Sequence, residues 1–179
     1  AAVVAETMRS SPIIPRKEYW KMVRESCDRH GALLILDEIP HALGRSGKMF
    51  TVEHYGIVPD MLVIGKGLGG GIFPWAALIA REGLNEAVKE RAVGHYTHEK
   101  NPVACAAALA TIEFIEKHHL LEAVEEKSAY FLAGLNTLKD KYPVISDCRG
   151  LGLMCGVELR HPESGEKAAD VAEAVMYKA

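Results

Sequence analysis

The chain has 179 residues, of which 49% are hydrophobic and 25% charged, with a net charge of −3. This length holds one full domain or parts of two, and the balance is that of an ordinary globular protein. Lys and Arg are scattered without a basic run, which excludes an electrostatic nucleic-acid surface, and no apolar stretch reaches the length of a membrane span.

In chain order, residues 1–6 read as a short buried strand and residues 7–15, with Pro12 and Pro15, as a loop. Residues 16–30 set Tyr19, Trp20, Met22, Val23 and Cys27 among charges, the pattern of an amphipathic helix, and Gly31 ends it. Residues 32–36 are continuously apolar, as in a parallel strand buried on both faces. Residues 41–55 form a Gly- and Ser-containing connection, Pro59 precedes a strand at 61–64, and residues 74–80 read as a further strand. Strand, helix, strand, connection, strand, strand is the order of an α/β layered fold. Residues 101–117 then form an Ala-rich helix and 120–142 a second helix with charged faces. A turn or short strand at 144–147, a strand at 152–159, a polar loop at 161–166 and a helix at 168–179 complete the chain. Residues 1–120 are expected to belong to a large domain, and 121–179 to a connecting helix and the start of a small α+β domain.

The opening Ala-rich run has no basic region before it and no cleavage pattern after it, so it is not read as a signal peptide. The chain is expected to be an internal piece of a longer protein. The four cysteines lack paired framework spacing, which fits reduced thiols in the cytoplasm.

The chemistry concentrates in two places. Leu33-Leu-Ile-Leu ends in Asp37-Glu38, and an apolar strand from Met61 runs into Gly65-Lys66-Gly-Leu-Gly-Gly-Gly71. A strand-end acid followed by a lysine in a glycine-rich bend is the pair a pyridoxal phosphate enzyme needs: the lysine forms a Schiff base with the aldehyde and the acid keeps the pyridine nitrogen protonated. Alternation along a strand puts Asp37 and Ile39 on one side and Glu38 on the other, where it supports the structure. The plain alternative for Asp37 is a loop-capping or magnesium-binding acid. Lys66 has no such plain alternative, since an ordinary lysine sits on a charged helix face; burial beside a phosphate and a ring would lower its amine's pKa.

Residues 65–70 also fit G-x-G-x-x-G after a strand, but a dinucleotide loop needs a helix at its last glycine, and Pro74 with its apolar neighbours favours an extended segment. No Gly-Lys-Ser/Thr occurs, so both nucleotide-binding readings rank below the imine lysine. Asn101 with Pro102 reads as a helix cap, and Thr97 just before it suits an anion. His95 and His98 have metal-ligand spacing but no partnering Cys or carboxylate, so no metal is expected. His118 and His119 complement a helix dipole.

Taken together, residues 33–39, 44–50, 59–71, Thr97 with 101–110, and 149–158 resemble the class III aminotransferases of pyridoxal phosphate fold type I. The resemblance implies the C-terminal half of a three-layer α/β pyridoxal phosphate-dependent transferase domain and the beginning of the small domain. It implies that Lys66 is the Schiff-base lysine and proton shuttle, that Asp37 pairs with the pyridine nitrogen and that Ile39 packs on the ring. It implies that Thr97 reaches the cofactor phosphate of a neighbouring subunit, in a homodimer or dimer of dimers. Glu6 matches a glutamate that pairs with or releases a substrate-binding arginine. The implied reaction moves an amino group from an amino acid or a 4-aminobutyrate-like ω-amino acid to a 2-oxo acid. A lyase, racemase or decarboxylase on the same scaffold, or a nucleotide-binding oxidoreductase, are the alternatives. The sequence departs from the family in two places. Pro40 stands where a glutamine near the cofactor's phenolic oxygen is usual, and His98, Glu99 and Lys100 replace the usual small and aromatic neighbours of Thr97. The family's phosphate cup, stacking aromatic and substrate arginine lie outside these residues, so this piece alone is expected to be inactive.

Overall fold

The computed structural model describes residues 1–91, 94 and 96–179. Three short apolar segments, β1 (Ala2–Glu6), β2 (Leu33–Asp37) and β3 (Met61–Ile64), pair in parallel, and β4 (Ala77–Ala80) lies antiparallel beside β3. The register sets Glu6 beside Asp37 and Asp37 beside Val63, so the C-terminal ends of the three parallel strands share one rim.

Between β1 and β2 runs α1 (Lys17–His30), whose Trp20, Val23 and Cys27 recur at helical spacing and pack with Leu34 and Leu36 of β2. Gly31, with φ +61°, turns the chain out of the helix, and the Ala32 amide returns to the Cys27 carbonyl at 2.9 Å. Leu62 and Ile64 of β3 continue the same buried face. The other face of β2, carrying Leu33, Ile35 and Asp37, is only half-buried. Among the described residues α1 covers one face of β2, and the other is half-open.

The segment expected at 74–80 forms a strand only from Ala77, and it runs antiparallel because the glycine-rich turn reverses the chain instead of crossing over. Asn101 caps α2 (Pro102–Lys117), its side-chain oxygen accepting from the Val103 and Ala104 amides at 3.0 and 3.3 Å. The small residues of α2 let it lie on the short 3-10 turn Lys66–Gly69. A Cβ added at Gly70 would sit 3.0 Å from Thr111 Oγ1.

Beyond it, α3 (Leu120–Lys141) packs on β5 (Ile145–Leu151), which forms an antiparallel hairpin with β6 (Met154–Leu159); α4 (Ala169–Lys178) follows. Residues 144–147 were expected to give a turn or short strand, yet β5 extends to Leu151. Its Arg149 and Gly150 hide the alternation, and Arg149 is accommodated by Asp147 at 2.6 Å, Glu158 at 3.1 Å and the Pro12 carbonyl at 2.8 Å. Gly152 belongs to the hairpin turn, with φ +60°, rather than to the second strand. A Cβ there would lie 2.4 Å from the Arg45 carbonyl oxygen, and the Leu153 amide donates to that oxygen at 2.9 Å. The hairpin thus docks on the loop that follows β2. Among the described residues no helix is long and apolar enough to cross a membrane.

Asp60 ties the opposite end of the sheet. Its side chain is 5% exposed and accepts from the Leu34 amide at 2.7 Å, Arg24 at 2.8 Å and Arg81 at 3.0 Å. Burial alone would raise this carboxyl, but the amide and the two guanidiniums together hold it below the usual aspartate value. One side chain so joins α1, β2, β3 and the exit from β4. Asp60→Asn should destabilise the protein by about 3 kcal/mol in urea unfolding, since it leaves Arg24 half-paired in a buried site. In the native protein this contribution is present above the ordinary aspartate value and is lost as pH falls through the depressed one.

Candidate active site

The rim of the sheet is built at the end of β2. Glu38 continues the buried parity of Leu34 and Leu36, and Asp37 faces the other way. Glu38 is fully buried. One carboxylate oxygen accepts from the Thr7 hydroxyl at 2.8 Å and the Val52 amide at 2.6 Å, the other from the Thr51 amide at 2.7 Å. Burial pushes this carboxyl above the usual glutamate value, and the three donors offset part of that rise. Glu38 is therefore the supporting acid, as its parity implied.

Asp37 is half-buried, and one of its oxygens accepts the Ile39 amide at 2.9 Å. Its other oxygen accepts no hydrogen bond among the described residues. Glu6 ends β1 directly beside it. Lys66 opens the 3-10 turn past β3 with φ +48°, a left-handed conformation that costs a non-glycine residue about 1–2 kcal/mol. Ile39 and Lys66 line one cleft of 310 Å³ together with Pro40, Leu43, Arg45 and Thr111.

The structure thus gathers Glu6, Asp37, Ile39 and Lys66 at one rim. Among the described residues Lys66 is exposed. Thr97 stands apart, exposed in the turn at 97–100 and outside the lining of the Lys66 cleft. His95 lies outside the described residues, and among those described no three His, Cys, Asp or Glu side chains are placed to hold a metal. Sequence reasoning treated residues 41–55 as a plain connection and so missed His41, Ser46 and Thr51, which are buried polar residues. A histidine placed among small and apolar neighbours, four residues after the strand-end acid, was the available signal.

The family described as aminotransferase class-III matches residues 1–178. The chain belongs to this family. It is 49% identical to an (R)-1-hydroxy-2-aminoethylphosphonate ammonia-lyase of Vibrio splendidus over 99% of the chain and 37% of that protein. It is 44% identical to an acetylornithine aminotransferase of Caldanaerobacter subterraneus over 83% of the chain and 37% of that protein. An amine transaminase from an uncultivated Pseudomonas species, solved in its pyridoxal phosphate-bound form, superposes with a TM-score of 0.86 at 34% identity over 93% of the chain and 39% of that structure. The chain spans about two fifths of the length of such class III relatives. The fold is that of the pyridoxal phosphate-dependent aminotransferases.

The class III cofactor, pyridoxal phosphate, fits the residues present. Asp37 offers a free carboxylate oxygen suited to a protonated ring nitrogen, Lys66 an amine, and Ile39 an aliphatic surface, beside a cleft of small-ligand size. Glu38→Gln should lower stability by about 2 kcal/mol by chemical denaturation, because the amide NH2 must face a buried donor whichever way it is turned.

Proposed function

We propose that the whole protein is a cytoplasmic pyridoxal phosphate-dependent aminotransferase. It moves an amino group from an amino acid or a 4-aminobutyrate-like ω-amino acid to a 2-oxo acid. Residues 1–120 belong in this reading to the cofactor-binding domain, and 121–179 to the helix and strands that begin the small domain. The observation that carries it is the pairing, at one rim, of an aspartate with an unused oxygen and a lysine held in left-handed backbone.

The bound cofactor supplies an aldehyde that takes up the amine and a ring that accepts its electrons. The Lys66 amine would be the point of covalent attachment and would carry the proton to and from the amine-bearing carbon. Asp37 holds a proton on the ring nitrogen. Ile39 packs on the ring face and keeps water from it. Glu6 answers the charge of a substrate-binding arginine. Thr97, exposed and away from the cleft of its own chain, supplies a hydroxyl to the cofactor phosphate of a partner in a homodimer or dimer of dimers.

The ammonia-lyase relative favours one second reading, elimination of ammonia on the same residues. Product analysis of the whole protein separates the two. Amino-acid product formed only when a 2-oxo acid is added supports transfer, whereas free ammonia released without one supports elimination. Under either reading borohydride reduction should leave the cofactor on Lys66, and Asp37→Asn should cut turnover by about 100-fold or more. Label on another lysine overturns the assignment of Lys66, and near-normal turnover in Asp37→Asn overturns that of Asp37.

Mixing subunits tests Thr97. Thr97→Val and Lys66→Ala proteins should each be impaired, and mixed dimers should regain activity, because both defects then fall in one site and leave the other intact. If Thr97 serves its own chain, each mixed site carries one defect and nothing is regained.

A further inference from the structure

The cleft that holds Ile39 and Lys66 contains a cation that the proposed chemistry does not use. Much of its wall is apolar: Ile39, Pro40 and Leu43 after β2, Ile115 on α2, Val124 on α3 and Leu153 in the hairpin turn. The polar side chains lining it are those of Arg45, Lys66 and Thr111, and none of the lining residues is an acid. Two of these three are engaged. Lys66 is taken by the cofactor in the reading above, and the Thr111 hydroxyl donates to the Ala107 carbonyl at 2.8 Å. Arg45 is the side chain left to meet an anion.

The backbone at Arg45 is fixed although its side chain is exposed. Gly44, Ser46 and Gly47 around it are buried. The Arg45 carbonyl accepts the Leu153 amide at 2.9 Å, the Ser46 carbonyl oxygen lies 3.0 Å from His54 Nε2, and the Gly47 amide donates to the Gly44 carbonyl at 2.9 Å. A Cβ on Gly44 would lie 3.0 Å from Leu121 Cδ2 of α3. The hairpin, the 51–55 turn and α3 thus hold the main chain that presents the guanidinium, so a ligand has little of it left to order. The loop's other cation is placed differently. Lys48 meets Glu125 of α3 at 3.5 Å, whereas Arg45 has no carboxylate at ion-pair distance among the described residues.

We infer that Arg45 is a substrate-binding residue: its guanidinium seats the carboxylate of the reacting amino acid or 2-oxo acid in the Lys66 cleft. The inference rests on the cofactor reading given above and adds to it the group that reads the substrate. Both reactants of that reading carry a carboxylate, and a guanidinium meets one with two parallel N–H donors. A wall without acids brings no competing anion, and its low polarity strengthens the pair. Leu43, Ile115 and Val124 line the same cleft and offer apolar surface to methylenes between carboxylate and amine, which suits an ω-amino acid. Arg45 is distinct from the arginine that Glu6 would answer, because Glu6 does not line this cleft.

The test titrates butyrate into the whole protein loaded with pyridoxal phosphate and follows binding by ligand-observed NMR, with butanol as the uncharged probe of equal length. The cofactor dissociation constant, from absorbance, and urea unfolding are measured alongside. Wild type should bind butyrate and not butanol. Arg45→Gln should bind butyrate about tenfold more weakly, as expected for a charge-assisted hydrogen bond lost, with cofactor affinity and unfolding unchanged. Arg45→Lys keeps the charge without the fork and should fall between the two. Should Arg45→Gln not fold, Arg45→Lys decides. A loaded wild type that does not bind butyrate has no such seat, and the inference fails. It fails also if Arg45→Gln binds butyrate as wild type does. Loss of cofactor affinity in Arg45→Gln with butyrate binding kept assigns the guanidinium to the cofactor phosphate. Loss of unfolding stability alone assigns it to an ion pair within the protein. Both overturn the inference and leave the cofactor reading standing. A wild-type protein that binds no pyridoxal phosphate overturns the cofactor reading and takes the inference with it.

Discussion

Glu38 accepts three hydrogen bonds in a site closed to solvent, one from the loop after β1 and two from amides that open the 51–55 turn. A buried carboxylate cannot shift without stripping donors that have no other partner, so these three segments hold one another in place. Strand alternation does the rest. With Glu38 anchored inward, Asp37 has to project from the opposite side of β2, and the turn that follows must carry Ile39 past it. The Trp20 indole extends the same network by donating to the Thr7 carbonyl at 2.8 Å, so α1 is registered against the rim as well as against the apolar core.

Three aspartate and glutamate side chains near the sheet show how the fold separates support from chemistry. Asp60 and Glu38, at opposite ends of the strands, each take three donors, with both oxygens engaged. Asp37 takes one. An acid left with an open oxygen at the C-terminal end of a parallel sheet lies where open α/β sheets bind their ligands. The lysine that faces the same rim is carried by a turn wedged against α2, where Gly70 comes against Thr111, so its backbone is held from below even though its side chain is free.

The regular elements were largely legible in the sequence. Trp20, Val23 and Cys27 mark a helix because one face must be apolar, Gly31 marks its end, and Asn101-Pro102 marks a helix start. What the sequence could not show were features set by distant partners. Arg149 and Gly150 look unlike a strand until β6 and Pro12 supply their hydrogen bonds, from as far as 137 positions away. Asp60 looks like an ordinary residue after a proline until Arg24 and Arg81 meet it. That Asp37, Ile39 and Lys66 share one rim could be read from the sequence, because each sits at a strand end with a local signature. The polar block of His41, Ser46 and Thr51 was not, because it is joined to Glu38 through Thr51, a matter of contacts rather than of spacing.

The left-handed backbone of Lys66 has a consequence for how this position is held through change. Glycine or asparagine would adopt that conformation with less strain, as its glycine neighbours suggest. Foldability and function therefore pull the residue at 66 in opposite directions: a library screened only for well-folded protein would drift away from lysine there. Drift of that kind marks a position whose side chain is kept for something other than folding.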